Sequence, residues 1–238
     1  MKEIDLELLK SYDNRFSELL NLQEINLDNI KTSLELFESE SITSGNPIPK
    51  KLEVYCMVGG LPFDFKFIKE IKEIQEKIKS ILRDKLYYLV RPENLAVEVI
   101  VFKWPSQNYD KNLIQESLKL VKKTQFKKFK LCSYGFQFHS DGAIILRCID
   151  NPDNLRNGRK IIQENIQDLW KKQSNWAHVP LGRILEPLDK KTLKELKDFS
   201  IYSQKNIRFE TEINKFHLLH EKRWYQCDRS NLLTIDLI

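Results

Sequence analysis

Apolar residues recur at helical spacing through the first part of the chain, at Leu6, Leu9, Tyr12, Phe16, Leu19 and Leu20 and again at Ile30, Leu34 and Phe37. An interruption near Asn26 to Asp28 divides them into two predicted helices. Ser41 to Pro49 (SITSGNPIP) is dense in turn formers, which marks a linker and sets residues 1–46 apart as a helical extension. Beyond it the period changes. Leu52 to Val58 (LEVYCMV) predicts a strand, and Phe67, Ile68, Ile71, Ile74, Ile78 and Ile81 mark one face of a long helix. Tyr87 to Val90 and Leu95 to Lys103 read as two strands parted by Arg91-Pro92-Glu93-Asn94, where proline is the breaker.

A second series follows. A helix around Tyr109 to Lys123 leads to the runs Phe126 to Phe138 and Ala143 to Ile149, joined as a hairpin by the Asp141-Gly142 turn signal. Asn151-Pro152-Asp153 opens a helix whose apolar side is Leu155, Ile162, Ile166 and Leu169. His178 to Leu185 predicts a short strand and Thr192 to Phe199 a helix. Ile207 to Leu219 with Trp224 to Leu237 predicts a closing hairpin. The order βαββα, then ββαβαββ, predicts an α+β domain of two related lobes over residues 50–238.

Composition narrows the class. A chain of 238 residues that is 41% hydrophobic can build a sizeable core, which excludes disorder. No run approaches the roughly twenty apolar residues of a membrane span. The start, MKEIDLELLK, carries acids where a secretory signal carries bases, so the expected setting is the cytoplasm. Cys56, Cys132, Cys148 and Cys227 are widely spaced, which implies reduced thiols rather than a disulfide framework or a zinc site.

The net charge of +5 conceals an asymmetry: residues 1–40 hold ten acids against four bases, which leaves the remainder at +11. A basic body attracts polyanions, so a nucleotide or RNA is a candidate partner, although solubility alone accounts for the same charge. The acidic extension is a candidate docking element for a protein partner, or a strap lying over the basic body. In Lys119 to Lys130 (KLVKKTQFKKFK) six lysines interleave with two phenylalanines, which suits either a phosphate backbone or a solvated face.

The segments richest in chemistry are Tyr87 to Trp104 (YYLVRPENLAVEVIVFKW) and Trp176 to Leu188 (WAHVPLGRILEPL). The first resembles the segment of the two-histidine (2H) phosphoesterase superfamily in which an RPENL-type turn runs into a strand bearing His-x-Thr. That superfamily includes RNA 2′,3′-cyclic phosphodiesterases and 2′-5′ RNA ligases. The second is similar to its other histidine motif, close to HITLGR. Tyr134 to Asn154 resembles the family's hairpin before its third helix, and Ile213 to Leu237 its closing strands. The likeness runs over about residues 51–237. It implies two lobes of antiparallel sheet around a central cleft, with two histidines as base and acid and two hydroxyls for the phosphate oxygens. No cofactor and no metal is implied.

The sequence departs from that pattern where the chemistry is. Strand residues i and i+2 share a face, so His-x-Thr aims imidazole and hydroxyl into one cleft. Here the first motif reads Ala96-Val97-Glu98 and the second His178-Val179-Pro180. Alanine moves no proton, and Glu98 sets a carboxylate where a phosphate would sit. One group of four remains, His178. The resemblance therefore implies a degenerate relative that binds a nucleotide, an RNA end or a protein segment without two-histidine chemistry. The alternative is an active phosphodiesterase with a site rebuilt around His178 from His139, Glu98 or Asp141. His178 itself is either a cleft histidine or one that satisfies its neighbours, and His139 with Asp141 either serves the cleft or makes a plain turn. Arg91, Lys103 and Trp104 flank the first motif as candidate ligand contacts, with Trp104 available to stack on a base. Arg183, five positions past His178, falls on the opposite face of a regular strand. His217 and His220 fall on opposite faces of theirs and share no metal.

Overall fold

The structure, a computed structural model, describes residues 6–108, 111–151, 154–166, 169 and 173–238. Tyr109, and Pro152 with Asp153 at the expected opening of the sixth helix, lie outside the described residues. In chain order the elements are α1 (Leu6–Leu20), α2 (Leu27–Leu34), α3 (Ser39–Thr43), β1 (Lys51–Gly59), α4 (Phe65–Leu82), β2 (Tyr87–Leu89), β3 (Val97–Lys103), α5 (Lys111–Lys123), β4 (Phe129–Phe138), β5 (Ala143–Asn151), α6 (Asn154–Asn165), β6 (Val179–Ile184), α7 (Lys190–Asn206), β7 (Glu210–Ile213), β8 (Lys215–Arg223) and β9 (Asp228–Asp236). Among the described residues every strand pairing is antiparallel, in two sheets: β3, β1, β8, β9 in one and β2, β6, β5, β4, β7 in the other. The expected α+β architecture is what the chain adopts. None of the described helices is long and apolar enough to cross a membrane.

Local chemistry sets the helix starts. Asp64 caps α4 by accepting from Phe67 N–H, and Asp189 caps α7 through Thr192 N–H. The apolar face of α4 buries Phe67, Ile71, Ile74 and Ile78. From the same face Gln75 donates to the carbonyls of Val90 and Leu181. Gly135 lets β4 bulge at φ +75°, and α7 packs so closely there that an added Cβ would lie 2.5 Å from the Ser203 carbonyl carbon.

Three sequence expectations are modified. Ser41 to Pro49, read as a linker, is folded: it begins in α3, Ser41 Oγ accepts from Ile48 N–H, and Pro49 bridges Phe37. The helical extension is packed onto the body, where Tyr12, Phe16, Leu19, Ile25 and Ile30 join the main core cluster. Ile207 to Leu219 is not one strand. It divides at Asn214 into β7, which pairs β4, and β8, which pairs β1 and β9, so the chain passes between sheets there. The phenylalanines of the lysine-rich run, Phe126 and Phe129, pack on Phe216 within the core, so that run presents lysines without free aromatic faces.

Candidate functional site

The two motif segments end up facing one another. A cavity of about 420 Å³ is lined on one side by Cys56, Val58, Ala96, Glu98 and Glu221 from the first sheet. Across it lie His139, Ala143, Ile145, His178, Pro180 and Arg183 from the second. Period-2 alternation accounts for most of this: Cys56 and Val58 share a face of β1, and the paired residues Leu219 and Val101 join Ala96 in the apolar cluster beneath it.

Arg159 ties the two walls together. It is buried in α6 and donates to the carbonyls of Val99 and Glu98 on β3 and of Trp176 just before β6. It therefore holds the Ala96 and His178 segments in register across the hollow. Its place was legible: it lies four residues after Leu155 and three before Ile162, on the apolar side of the helix, where a charge must have a partner.

Trp176 forms the second joint. Its indole N–H donates to Ser11 Oγ at 2.8 Å, and its ring meets those of Tyr12 at 4.7 Å, His139 at 5.4 Å and His178 at 6.2 Å. The two histidines thus stand edge-to-face on one indole. Burial drives both below the usual imidazole range, His139 to about 4 and His178 to about 3, so both are neutral near pH 7. The Gln137 side-chain amide meets His139 Nε2 at 2.9 Å, whereas His178 Nδ1 is buried without a protein partner among the described residues.

The carboxyls shift the other way. Burial raises Glu98, and it raises Glu221 to about 7, helped by the charge of nearby Glu98 and opposed by the Gln226 N–H that Glu221 Oε1 accepts at 2.8 Å. Cys56, between these acids and fully enclosed, has its thiol pushed well up by burial and then by both charges. It is therefore no nucleophile. Tyr225 and Gln226 close the rim in left-handed backbone, at φ 58° and 56°, a strain of about 1 kcal/mol or more each that the surrounding contacts must offset.

The structure brings Ala96, Glu98, Pro180, His178, His139, Asp141 and Trp104 to one hollow. It does not bring Arg91 or Lys103 there. Arg91 is exposed at the turn before the 3₁₀ segment Pro92–Asn94. Lys103 is 3% exposed and pairs with Glu53 at 3.2 Å, because the bulge opposite Tyr55 and Cys56 turns it to the far face of the sheet. Arg183 is a correction in the opposite sense. A bulge in β6 between the pairs Ile144↔Gly182 and Ile145↔Pro180 breaks the alternation, so Arg183 pairs with Ala143 on the cleft face. There its Nε donates to Tyr225 Oη at 2.8 Å and its Nη1 to Ser33 Oγ at 3.0 Å, and Asp141 lies 3.5 Å away. His217 meets Thr234 and His220 stacks on Tyr55, on opposite faces of β8; no metal-ligating group of three occurs among the described residues. Glu221, Tyr225 and Gln226 escaped the sequence reading. The one signal was an acid two positions after Leu219 on the inward face of an otherwise apolar strand.

Two antiparallel sheets that oppose the tripeptides 96–98 and 178–180 define a protein with the fold of the 2H phosphoesterases. No protein-family model and no curated protein matches the chain. Among solved structures, Escherichia coli LigT, a 2′-5′ RNA ligase, complexed with 3′-AMP has a TM-score of 0.53 at 12% identity, covering 79% of this chain and 99% of LigT. TT0787 of Thermus thermophilus gives 0.53 at 14% identity, over 77% and 97%. The conserved protein of unknown function ATU0111 from Agrobacterium tumefaciens gives 0.61 at 9%, over 84% and 90%. At these identities the likeness is one of fold.

Proposed function

We propose that this chain is a 2H phosphoesterase-like protein that has lost two-histidine chemistry and binds a ligand in the old cleft, a nucleotide, an RNA end or a protein segment. The observation that carries it is the pair of facing tripeptides. Ala96 has no proton to give, Glu98 and Pro180 replace the hydroxyls, and His178 alone remains, unprotonated near pH 7. A neutral imidazole with a titration near 3 supplies no acid for a leaving alkoxide. In this reading residues 50–238 form the 2H-like unit, and residues 1–46 are an added extension seated against its second sheet. Four free cysteines suit a reducing cytoplasm.

Occupancy has a built-in reporter, since Trp104, Trp176 and Trp224 line the cavity. Full-length protein and His178→Ala are assayed with 2′,3′-cyclic AMP. The expected result is no turnover above the buffer blank for either. Turnover that disappears in His178→Ala overturns the proposal and favours the second reading, a rebuilt site. The observation in favour of that alternative is His139 beside His178 on the Trp176 ring.

A further inference from the structure

If the hollow is a ligand site, the charges and unmade hydrogen bonds of its walls restrict what enters it. The charged side chains that line it are Glu98, Asp141, Glu221 and Arg183. The guanidinium of Arg183 is already engaged by Tyr225, Ser33 and Asp141. Among the described residues nothing donates a hydrogen bond to the Glu98 carboxyl, and Arg159 and Arg229, which act on Glu98 and Glu221 at longer range, are engaged by backbone carbonyls and by Asn94 rather than paired with them. Glu221 is 7% exposed, with a single oxygen held by Gln226 N–H. Gln226 Oε1, also on the cavity wall, is buried with no donor among the described residues.

The charged lining of the hollow is therefore three carboxyls against one engaged base among the described residues. Among the described residues an incoming phosphate would meet three carboxyls and no unengaged base, with only neutral indole, imidazole and amide N–H groups to donate to it. An alkylammonium brings three N–H donors and a guanidinium five. The indoles that follow β3 and β8 suit the same guest. Trp104 and Trp224 meet at 5.2 Å and 60°, and indole faces attract a desolvated cation more strongly than other aromatic rings do. A cavity of about 420 Å³ accommodates a small organic molecule, not a bare ion.

We propose that the hollow binds a small organic cation, its ammonium or guanidinium groups held by Glu98 and Glu221, with Trp104 and Trp224 on the same wall. The proposal rests on the reading of the cleft as a ligand site and, among the guests named for it, argues against a nucleotide or RNA end. It sets the position once used for a phosphate to the opposite charge.

The test uses the full-length protein, titrated with agmatine and with putrescine by calorimetry and tryptophan fluorescence, with 3′-AMP and inorganic phosphate as anionic comparators. The expected result is that a cationic probe binds and that Glu98→Gln and Glu221→Gln each weaken it tenfold or more. Both variants keep the side-chain shape and the Gln226 N–H contact. Failure of both cations to bind overturns the inference, as does cation affinity unchanged in both glutamine variants. Should 3′-AMP or phosphate alone bind, with Trp104→Ala weakening it, the cation inference falls and the ligand-cleft reading stands. Turnover of 2′,3′-cyclic AMP that requires His178 removes both.

Discussion

Glu221→Gln is expected to stabilise the protein in a pH-dependent way. In the unfolded chain this carboxyl titrates near 4.5, and in the fold burial moves it to about 7. Between those values the folded state holds the proton more tightly than the unfolded state does. The native protein thus loses stability as pH rises from 4.5 to 7, and the deficit is complete above 7. At ~1.4 kcal/mol per pH unit, the ionised form costs about 3 kcal/mol. Glutamine carries no charge and can still accept from Gln226 N–H through its amide oxygen. Nearby Glu98 adds to the cost in the native protein and Arg229 reduces it, and both remain in the variant. The assay is urea denaturation of native and variant protein from pH 4 to 8.5, read as the difference between them. The neutral histidines His139 and His178 lose stability toward low pH in both proteins and cancel. The expected difference is close to zero at pH 4 and reaches about 3 kcal/mol in favour of the variant at pH 8. A difference that does not change with pH would show that Glu221 is hydrated rather than enclosed, and would refute the electrostatics given for the hollow.

Other outcomes follow from the packing. Tyr12→Ala should lower stability by about 3–5 kcal/mol, since the ring is fully buried and its hydroxyl donates to Cys148 O; a loss under about 0.5 kcal/mol in urea would show that α1 is not part of the core. Arg159→Met removes the link between β3 and the segment before β6, at an expected cost of about 2–4 kcal/mol and with altered fluorescence of Trp176; an unchanged midpoint and spectrum would contradict its role as the tie. Gly135→Ala places a Cβ against the α7 backbone at φ +75° and should cost about 2–3 kcal/mol in thermal unfolding, where no change would mean that the bulge yields.

The acid-rich extension changes the view of the cleft. Asp13 pairs with Arg147 at 2.8 Å, and Ser33 accepts from Arg183. Arg147 lies two residues beyond Ile145 on the cleft face of β5, so α1 covers the part of that face that the hollow leaves. Acids at residues 1–40 and bases in the body thus meet partly as specific pairs within the fold.

Much of the architecture could be read from residues a few positions apart. The period of 3.6 placed α4 from Phe67 to Ile81, the period of 2 placed β1 and β3, and Asp141-Gly142 placed the hairpin of β4 and β5, because each signal is generated within one element. The tripeptides Ala96-Val97-Glu98 and His178-Val179-Pro180 were legible for the same reason, and so was the loss of their reactive groups. The turning of Arg183 into the cleft was not, because a one-residue bulge reverses every face beyond it and is set by the partner strand. Nor was the passage of the chain from β7 to β8 between sheets, which depends on strands more than fifty residues away. The neutral histidines and the proton-holding Glu221 belong to the tertiary structure alone: a side chain's charge depends on how much water the rest of the fold leaves around it, and that water is displaced by residues from both sheets.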